Sequence, residues 1–230
     1  MEFLQKILEL DTSLFLFLNS YHSNFWDTIM LMITRKEPWF PFYAVLVYFV
    51  IKNYRSKSWL IILFIGITIL LSDQISVLLK ENIQRFRPVH NPEIEHQVHN
   101  VLRKGSLYGF VSSHAANVFA VFVFTTRLFR NRFFWMLMLF WAVIVSYSRI
   151  YSGVHYPLDI LFGGLIGWLI GYGTFKLMMF IEFRYFFAKN PKINKTNLAN
   201  RQMGTVLLVF SVLSITVLIM AWLLHHYKYL

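Results

Sequence analysis

Cysteine is absent from the chain, which excludes a disulfide framework and thiolate metal ligands and says nothing about compartment. Charge is scarce as well. Asp, Glu, Lys and Arg together make up 14% of the 230 residues, and acids are scarcer than bases, 11 against 22. So little charge excludes a single soluble domain of ordinary surface. The opening Met1-Glu2-Phe3-Leu4 lacks the basic region, apolar core and small-residue cleavage site of a signal peptide, so the mature chain is expected to begin there. Neither an internal repeat nor a low-complexity tract interrupts the sequence.

What fills the chain instead is apolar: 57% of its residues are hydrophobic, with 24 Phe and 7 Trp. Such a composition belongs in a bilayer. The net charge of +11 raises nucleic acid as a partner, but the cations sit at the ends of apolar runs and not on one basic face. Anionic lipid fits that distribution better, and no nucleic-acid partner is expected.

A span needs roughly 20 apolar residues to cross the hydrocarbon. On that rule about six spanning helices are expected, near 38–53, 58–80, 111–128, 132–149, 157–180 and 204–225. Leu10 to Thr34 mixes Phe, Leu and Met with Asp11, Asn19, His22, Asn24 and Asp27, the pattern of an amphipathic helix lying against the bilayer. The expected fold is therefore all-α: a polytopic membrane helical bundle with an N-terminal amphipathic helix, one membrane domain over 1–230. The segments 81–110 and 182–203 are polar and punctuated by Pro or Gly, and are expected outside the membrane.

Alternating connections sort the charges by side. The loops 52–57, 127–132 and 182–203 carry Lys52, Arg55, Lys57, Arg127, Arg130, Arg132, Arg184, Lys189, Lys192, Lys195 and Arg201 against one acid, Glu182. The positive-inside rule makes that side cytoplasmic. The N-terminal segment, the 81–110 loop, the 150–156 turn and the C-terminus then face the periplasm or exterior, with nearly all the acids.

Three polar clusters interrupt the apolar background: Lys80 with Arg87-Pro88, then Ser112-Ser113-His114, then Ser148-Arg149 with His155 and Asp159. A loop separates the first two and a pair of spans separates the second from the third, so all emerge at one face and can converge. Taken singly, Lys80 and Arg87 read as snorkelling cations, and His155 with Asp159 as a structural pair. Taken together, three permanent cations beside two histidines and a carboxylate are what holding and cleaving a phosphate requires.

Lys80 followed after six residues by Arg87-Pro88, and Ser148-Arg149 followed by His155 and then Asp159, resemble the signature of the type 2 phosphatidic acid phosphatase (PAP2) superfamily, which also includes acid phosphatases and vanadium haloperoxidases. The resemblance covers roughly residues 60 to 170. The middle motif departs from it: where the family usually has Pro-Ser-Gly-His, this chain has Val111-Ser112-Ser113-His114. The resemblance implies that His155 is the nucleophile forming a phosphohistidine, with Asp159 on its other ring nitrogen. It implies His114 as general acid and then base, and Lys80, Arg87 and Arg149 as holders of the phosphoryl oxygens. Ser112, Ser113 and the amides opening the next helix add donors. No metal and no cofactor is expected. Activity is expected to survive the Ser113 substitution, since its amide remains and its hydroxyl adds a donor.

Asp73, seven residues before Lys80, shares its helical face and is expected either to orient a site cation or to contact a neighbouring helix. His90, His96 and His99 with Glu93 and Glu95 fit no strong metal-ligand spacing; their loop is expected to cap the site. Trp39, Trp59, Trp135 and Tyr151 fall where an aromatic belt would, and His225-His226 with Tyr227 and Lys228 reads as an interfacial helix end. The resemblance implies a metal-independent integral-membrane phosphatase of a lipid phosphate or pyrophosphate at the outer face of the inner (cytoplasmic) membrane, without an obligatory protein partner. Undecaprenyl diphosphate or a lipid A phosphate suits a periplasmic site; phosphatidylglycerol phosphate and phosphatidic acid are the alternatives. A haloperoxidase and a non-catalytic lipid-binding or transport protein are the readings of other classes.

Overall fold

The computed structural model describes residues 2–102, 104–186 and 191–227; Lys189 and Lys228 lie outside them. Eight α-helices account for most of these residues: α1 (Glu2–Asn19), α2 (Asn24–Thr34), α3 (Phe40–Tyr54), α4 (Ser58–Ile83), α5 (Ser113–Phe129), α6 (Arg132–Tyr151), α7 (Pro157–Phe186) and α8 (Asn200–His226). Among the described residues there is no strand, only an isolated bridge between Phe86 and Tyr108. The six expected spans coincide with α3 to α8. Among the described residues, four stretches are long and apolar enough to cross a membrane, the first holding α3 and α4 in succession; α5, at 17 residues, is shorter than those.

Local chemistry sets the helix ends that matter for the site. Ser112 caps α5 by accepting from the Ala115 amide at 3.4 Å. Asn131 caps α6 by accepting from the Phe133 and Phe134 amides. Pro157, with its fixed φ and no N–H to leave unbonded, opens α7. At the other ends, Gln84 and Arg130 turn the chain in left-handed conformations, φ 53° and 48°, to close α4 and α5.

The closest helix pair is α5 with α7. A Cβ on Gly167 would sit 2.1 Å from the Ala116 carbonyl oxygen, and one on Gly171 2.4 Å from that of Ala120. Small residues four apart on both helices therefore bring the two backbones together, the packing mode favoured where lipid removes the hydrophobic drive between helices. This contact ties the helix carrying His114 to the one that follows His155.

The two ends of the bundle differ. At one, Lys57 and Glu182 form a buried ion pair, and Arg130 donates to the Asn194 carbonyl. At the other lie the C-terminal end of α4, the start of α5, the end of α6 and the start of α7, where the three polar clusters meet.

The N-terminal segment differs in detail from the single amphipathic helix expected over Leu10–Thr34. It is two helices, broken at 20–23, where Ser23 caps α2. Moreover, α1 turns Asp11, Phe15 and Asn19 inward while Phe3, Leu10 and Phe17 are 79%, 62% and 57% exposed. Polar side chains face in because they have partners there: Asn19 donates to the Tyr151 carbonyl at 2.8 Å and accepts from the His99 amide at 2.8 Å. Half of the expected aromatic belt is corrected. Trp59 and Trp135 are about half exposed, but Trp39 and Tyr151 are buried. Their polar atoms find internal partners, Trp39 Nε1 on the Ile33 carbonyl at 2.9 Å and Tyr151 OH on Asp27 at 2.6 Å, which removes the need for an interface.

Candidate active site

His155 sits in the turn between α6 and α7 and is 2% exposed. Its Nδ1 faces Asp159 Oδ2 at 3.3 Å, one helical turn on, and the same oxygen accepts the Tyr156 amide at 3.0 Å. With Nδ1–H directed at a carboxylate, Nε2 is the nitrogen with a free lone pair. Arg87 Nη1 lies 3.4 Å from that Nε2. Burial first, and then the charges of Arg87, Arg149 and Lys80, hold the His155 imidazole well below the ordinary histidine range, so it is neutral at physiological pH.

The cations enclose this nitrogen from three elements. Arg87 leaves the loop after α4 and is fixed by donating to the Tyr108 carbonyl at 3.2 Å and to Ser106 Oγ at 3.0 Å. Arg149, in the last turn of α6, donates through Nη1 to Thr34 Oγ1 at 2.7 Å, while its buried Nε has no partner. Lys80, near the end of α4, donates to Ser113 Oγ, which also bonds Ser76 Oγ at 2.6 Å. The residue that departs from the family motif is thus the anchor of a site lysine.

Lys80, Arg87, Ser113, His114, Arg149 and His155 all line one cavity of about 680 Å³. Asp73 lines it too, below Lys80, and makes no ion pair among the described residues. Beyond this polar end the walls are apolar: Tyr43, Leu46 and Val50 from α3, Ile65 and Ile69 from α4, Val118, Val121 and Phe129 from α5, and Trp141 and Val145 from α6. Along α5 the lining runs from Ser113 to Phe129, about 24 Å at 1.5 Å per residue.

Ser112 stands apart from the other expected residues. Its hydroxyl is spent on the α5 cap, its amide donates to the Asp159 carbonyl at 3.0 Å, and it is fully buried behind the cavity wall, not in it. It holds α5 to α7 and offers no side-chain donor to the cavity. The 81–110 histidines are scattered: His99 bonds Asp27 at 2.8 Å and stacks on His22, while His90 and His96 make other contacts. No cluster of three metal-ligating side chains occurs among the described residues.

Sequence reasoning missed Arg85 and Asp11. Arg85 donates to Asp159 Oδ1 at 3.0 Å and to Asp11 Oδ2 at 2.7 Å, with its guanidinium 4.0 Å over the Tyr156 ring. Asp11 Oδ1 accepts the Leu158 amide at 2.9 Å, at the opening of α7. Burial raises the Asp11 carboxyl above its ordinary range, against the lowering by Arg85 and the Leu158 amide. Arg85 lay in the spacer of the first cluster, visible but unassigned. Asp11, more than seventy residues away, gave no signal except as a polar residue in an apolar stretch.

The PAP2 superfamily profile matches residues 57–183. The chain is 40% identical over 183 residues to the lipid A 4'-phosphatase of Bacteroides thetaiotaomicron, covering 76% of this chain and 81% of that one. It is 30% identical over 165 residues to the undecaprenyl-diphosphatase BcrC of Bacillus subtilis, covering 68% and 77%. Among solved structures, LpxE of Aquifex aeolicus superposes with a TM-score of 0.58 at 24% identity, covering 73% of this chain and 95% of that one. The first transmembrane PAP2-type phosphatidylglycerolphosphate phosphatase from Bacillus subtilis gives 0.56 at 23%, covering 80% and 90%; these two likenesses bear on the fold alone. With its three polar clusters gathered at one end of an apolar helical bundle and the profile spanning all of them, the chain belongs to the PAP2 superfamily.

Proposed function

We propose that this protein is a membrane lipid phosphatase that works through a phosphohistidine at His155. The observation that carries the proposal is the two-ended cavity: three cations and two histidines at one end, and an apolar trough along most of α5 behind them. A phosphate headgroup matches the first and a hydrocarbon chain the second. The relatives named as lipid A 4'-phosphatase and undecaprenyl-diphosphatase act on lipids of that form, and they favour a lipid A phosphate or undecaprenyl diphosphate as substrate here.

The proposed chemistry uses the residues gathered at the polar end of the cavity. His155 Nε2 attacks phosphorus and forms a P–N bond as the P–O bond to the leaving group breaks. His114 supplies the proton that the leaving oxygen takes. Water then attacks the phosphohistidine, His114 takes its proton, the P–N bond breaks, and phosphate departs. Asp159 holds the imidazole orientation and stabilises the charge it acquires. Lys80, Arg87 and Arg149 carry the nonbridging oxygens through both transition states, the role in which preorganised charge contributes most. The opposite end of the bundle carries the basic loops, so the site opens on the outer face of the cytoplasmic membrane.

The test is phosphate release in detergent with EDTA from undecaprenyl diphosphate, lipid A, phosphatidylglycerol phosphate and phosphatidic acid, with an alkaline detergent quench to isolate an acid-labile, alkali-stable phosphoprotein. Release by the native chain, and loss of both turnover and label in His155→Ala, is expected. A fully active His155→Ala protein would overturn the assignment of the nucleophile.

A further inference from the structure

Three of the cavity's cations hold the reacting phosphate, and two remain. Arg35 and Lys36 directly follow the C-terminus of α2 and line the cavity. Both are exposed, and neither has an ion pair or a side-chain hydrogen bond among the described residues. Glu37, the adjacent acid, starts the short turn leading to α3 and is not part of the cavity wall.

Two further observations say what these cations face. Arg149 lines the cavity although it is only 9% exposed, and its buried Nε has no hydrogen-bond partner among the described residues. Its Nη1 is bonded to Thr34, the residue before Arg35, so the segment bearing the spare cations is clamped to a cation of the reaction site. The charge balance points the same way. The described lining residues hold five cations, Arg35, Lys36, Lys80, Arg87 and Arg149, against the single carboxylate of Asp73. A phosphate monoester brings a charge of about −1.5 to −2. One such group leaves about half of the net positive charge of the lining without a counter-ion.

We infer that Arg35 and Lys36 form a second phosphate subsite beside Arg149, so that the substrate carries two phosphate groups. The inference rests on the lipid phosphatase reading for its setting and adds the class of headgroup. The second group is either the lipid-linked phosphate of a lipid diphosphate, whose terminal phosphate reacts at His155, or a phosphate elsewhere on the same headgroup. In both cases it sits toward the α2–α3 turn while the reacting phosphate lies against His155.

The experiment is binding of inorganic pyrophosphate and of inorganic phosphate to the full chain in detergent, by calorimetry, for the native protein and for Arg35→Gln/Lys36→Gln. The native protein is expected to prefer pyrophosphate by about tenfold or more, the effect of one additional good ionic contact, and the double variant to lose that preference. Equal affinity for the two anions in the native protein, or a preference that survives in the variant, overturns the subsite. A preference lost in the variant supports it even if no lipid is turned over, in which case the phosphatase reading fails and the subsite stands. KM values for a polyprenyl diphosphate and for a disaccharide lipid phosphorylated on both sugars separate the two sources, since the variant raises KM for the headgroup that uses the subsite. Unchanged KM for both argues against any role of the subsite in lipid recognition.

Discussion

At the scale of single residues, the site depends on which charges surround His155. As the proposed nucleophile, His155 acts only when neutral, and its imidazole is held below the ordinary value of 6.5 by burial first and by Arg87, Arg149 and Lys80 after that. The acid limb of kcat/KM is therefore expected below pH 6.5. Removing a neighbouring positive charge stabilises the imidazolium, so Arg87→Gln moves that limb upward in pH while lowering kcat/KM by roughly 100-fold, the usual loss of one transition-state donor; a pH–rate profile of both proteins checks this. In the proposed mechanism Arg85 is a positioning residue, acting through Asp159. Its fork spans two carboxylates, Asp159 and Asp11, as one ammonium cannot. Arg85→Ala is expected to lower kcat by about 10- to 100-fold with KM little changed, and Arg85→Lys to restore little of it. A purely structural role would instead lower the amount of folded protein and leave kcat per folded molecule intact. Ser113 was legible as a departure from the family motif. That it anchors Lys80 was not, because the contact joins residues 33 apart in sequence.

At the scale of elements, α5 and α7 set the distance between His114 and the His155–Asp159 pair. Their backbones approach so closely at Gly167 that even a methyl group would lie 2.1 Å from the Ala116 carbonyl oxygen. Gly167→Ala must push the helices apart, at a cost of about 1–3 kcal/mol for overpacking. It is expected to lower both the thermal midpoint and kcat. Gly173 lies on the same helix, but a methyl group there would meet nothing within 4 Å. It serves as the control, and Gly173→Ala should alter neither. The six long helices were legible from apolar run length and the charges at their ends. The pairing of α5 with α7 was not, since small residues four apart identify a face suited to close packing but not its partner. Likewise α1 reads as amphipathic from its sequence, while only the fold shows its polar residues, Asp11 and Asn19, turned inward to bond the site.

At the scale of the whole molecule, the bundle separates a basic end, with the Lys57–Glu182 pair, from the site end, where the N-terminal helices fold over the turn between α6 and α7. If the basic loops are cytoplasmic, a cysteine placed at exposed Tyr21 reacts with a membrane-impermeant maleimide in intact spheroplasts, and one placed at exposed Arg55 reacts only after lysis; the reverse pattern inverts the orientation. The amino-acid sequence by itself determined the membrane class, the six helical runs, the end of the bundle at which the three polar clusters gather, and seven of the residues that meet there or support it. It could do so because hydrophobic length, charge distribution and motif spacing are properties of the chain read along one dimension. Only the tertiary structure decided that Ser112 caps a helix behind the cavity, that Arg85 and Asp11 stand behind Asp159, that Trp39 and Tyr151 are internal, and that Arg35 and Lys36 share the cavity of Lys80, Arg87 and Arg149. Each of these is a matter of which side chains face each other across helices distant in sequence, and packing alone fixes that.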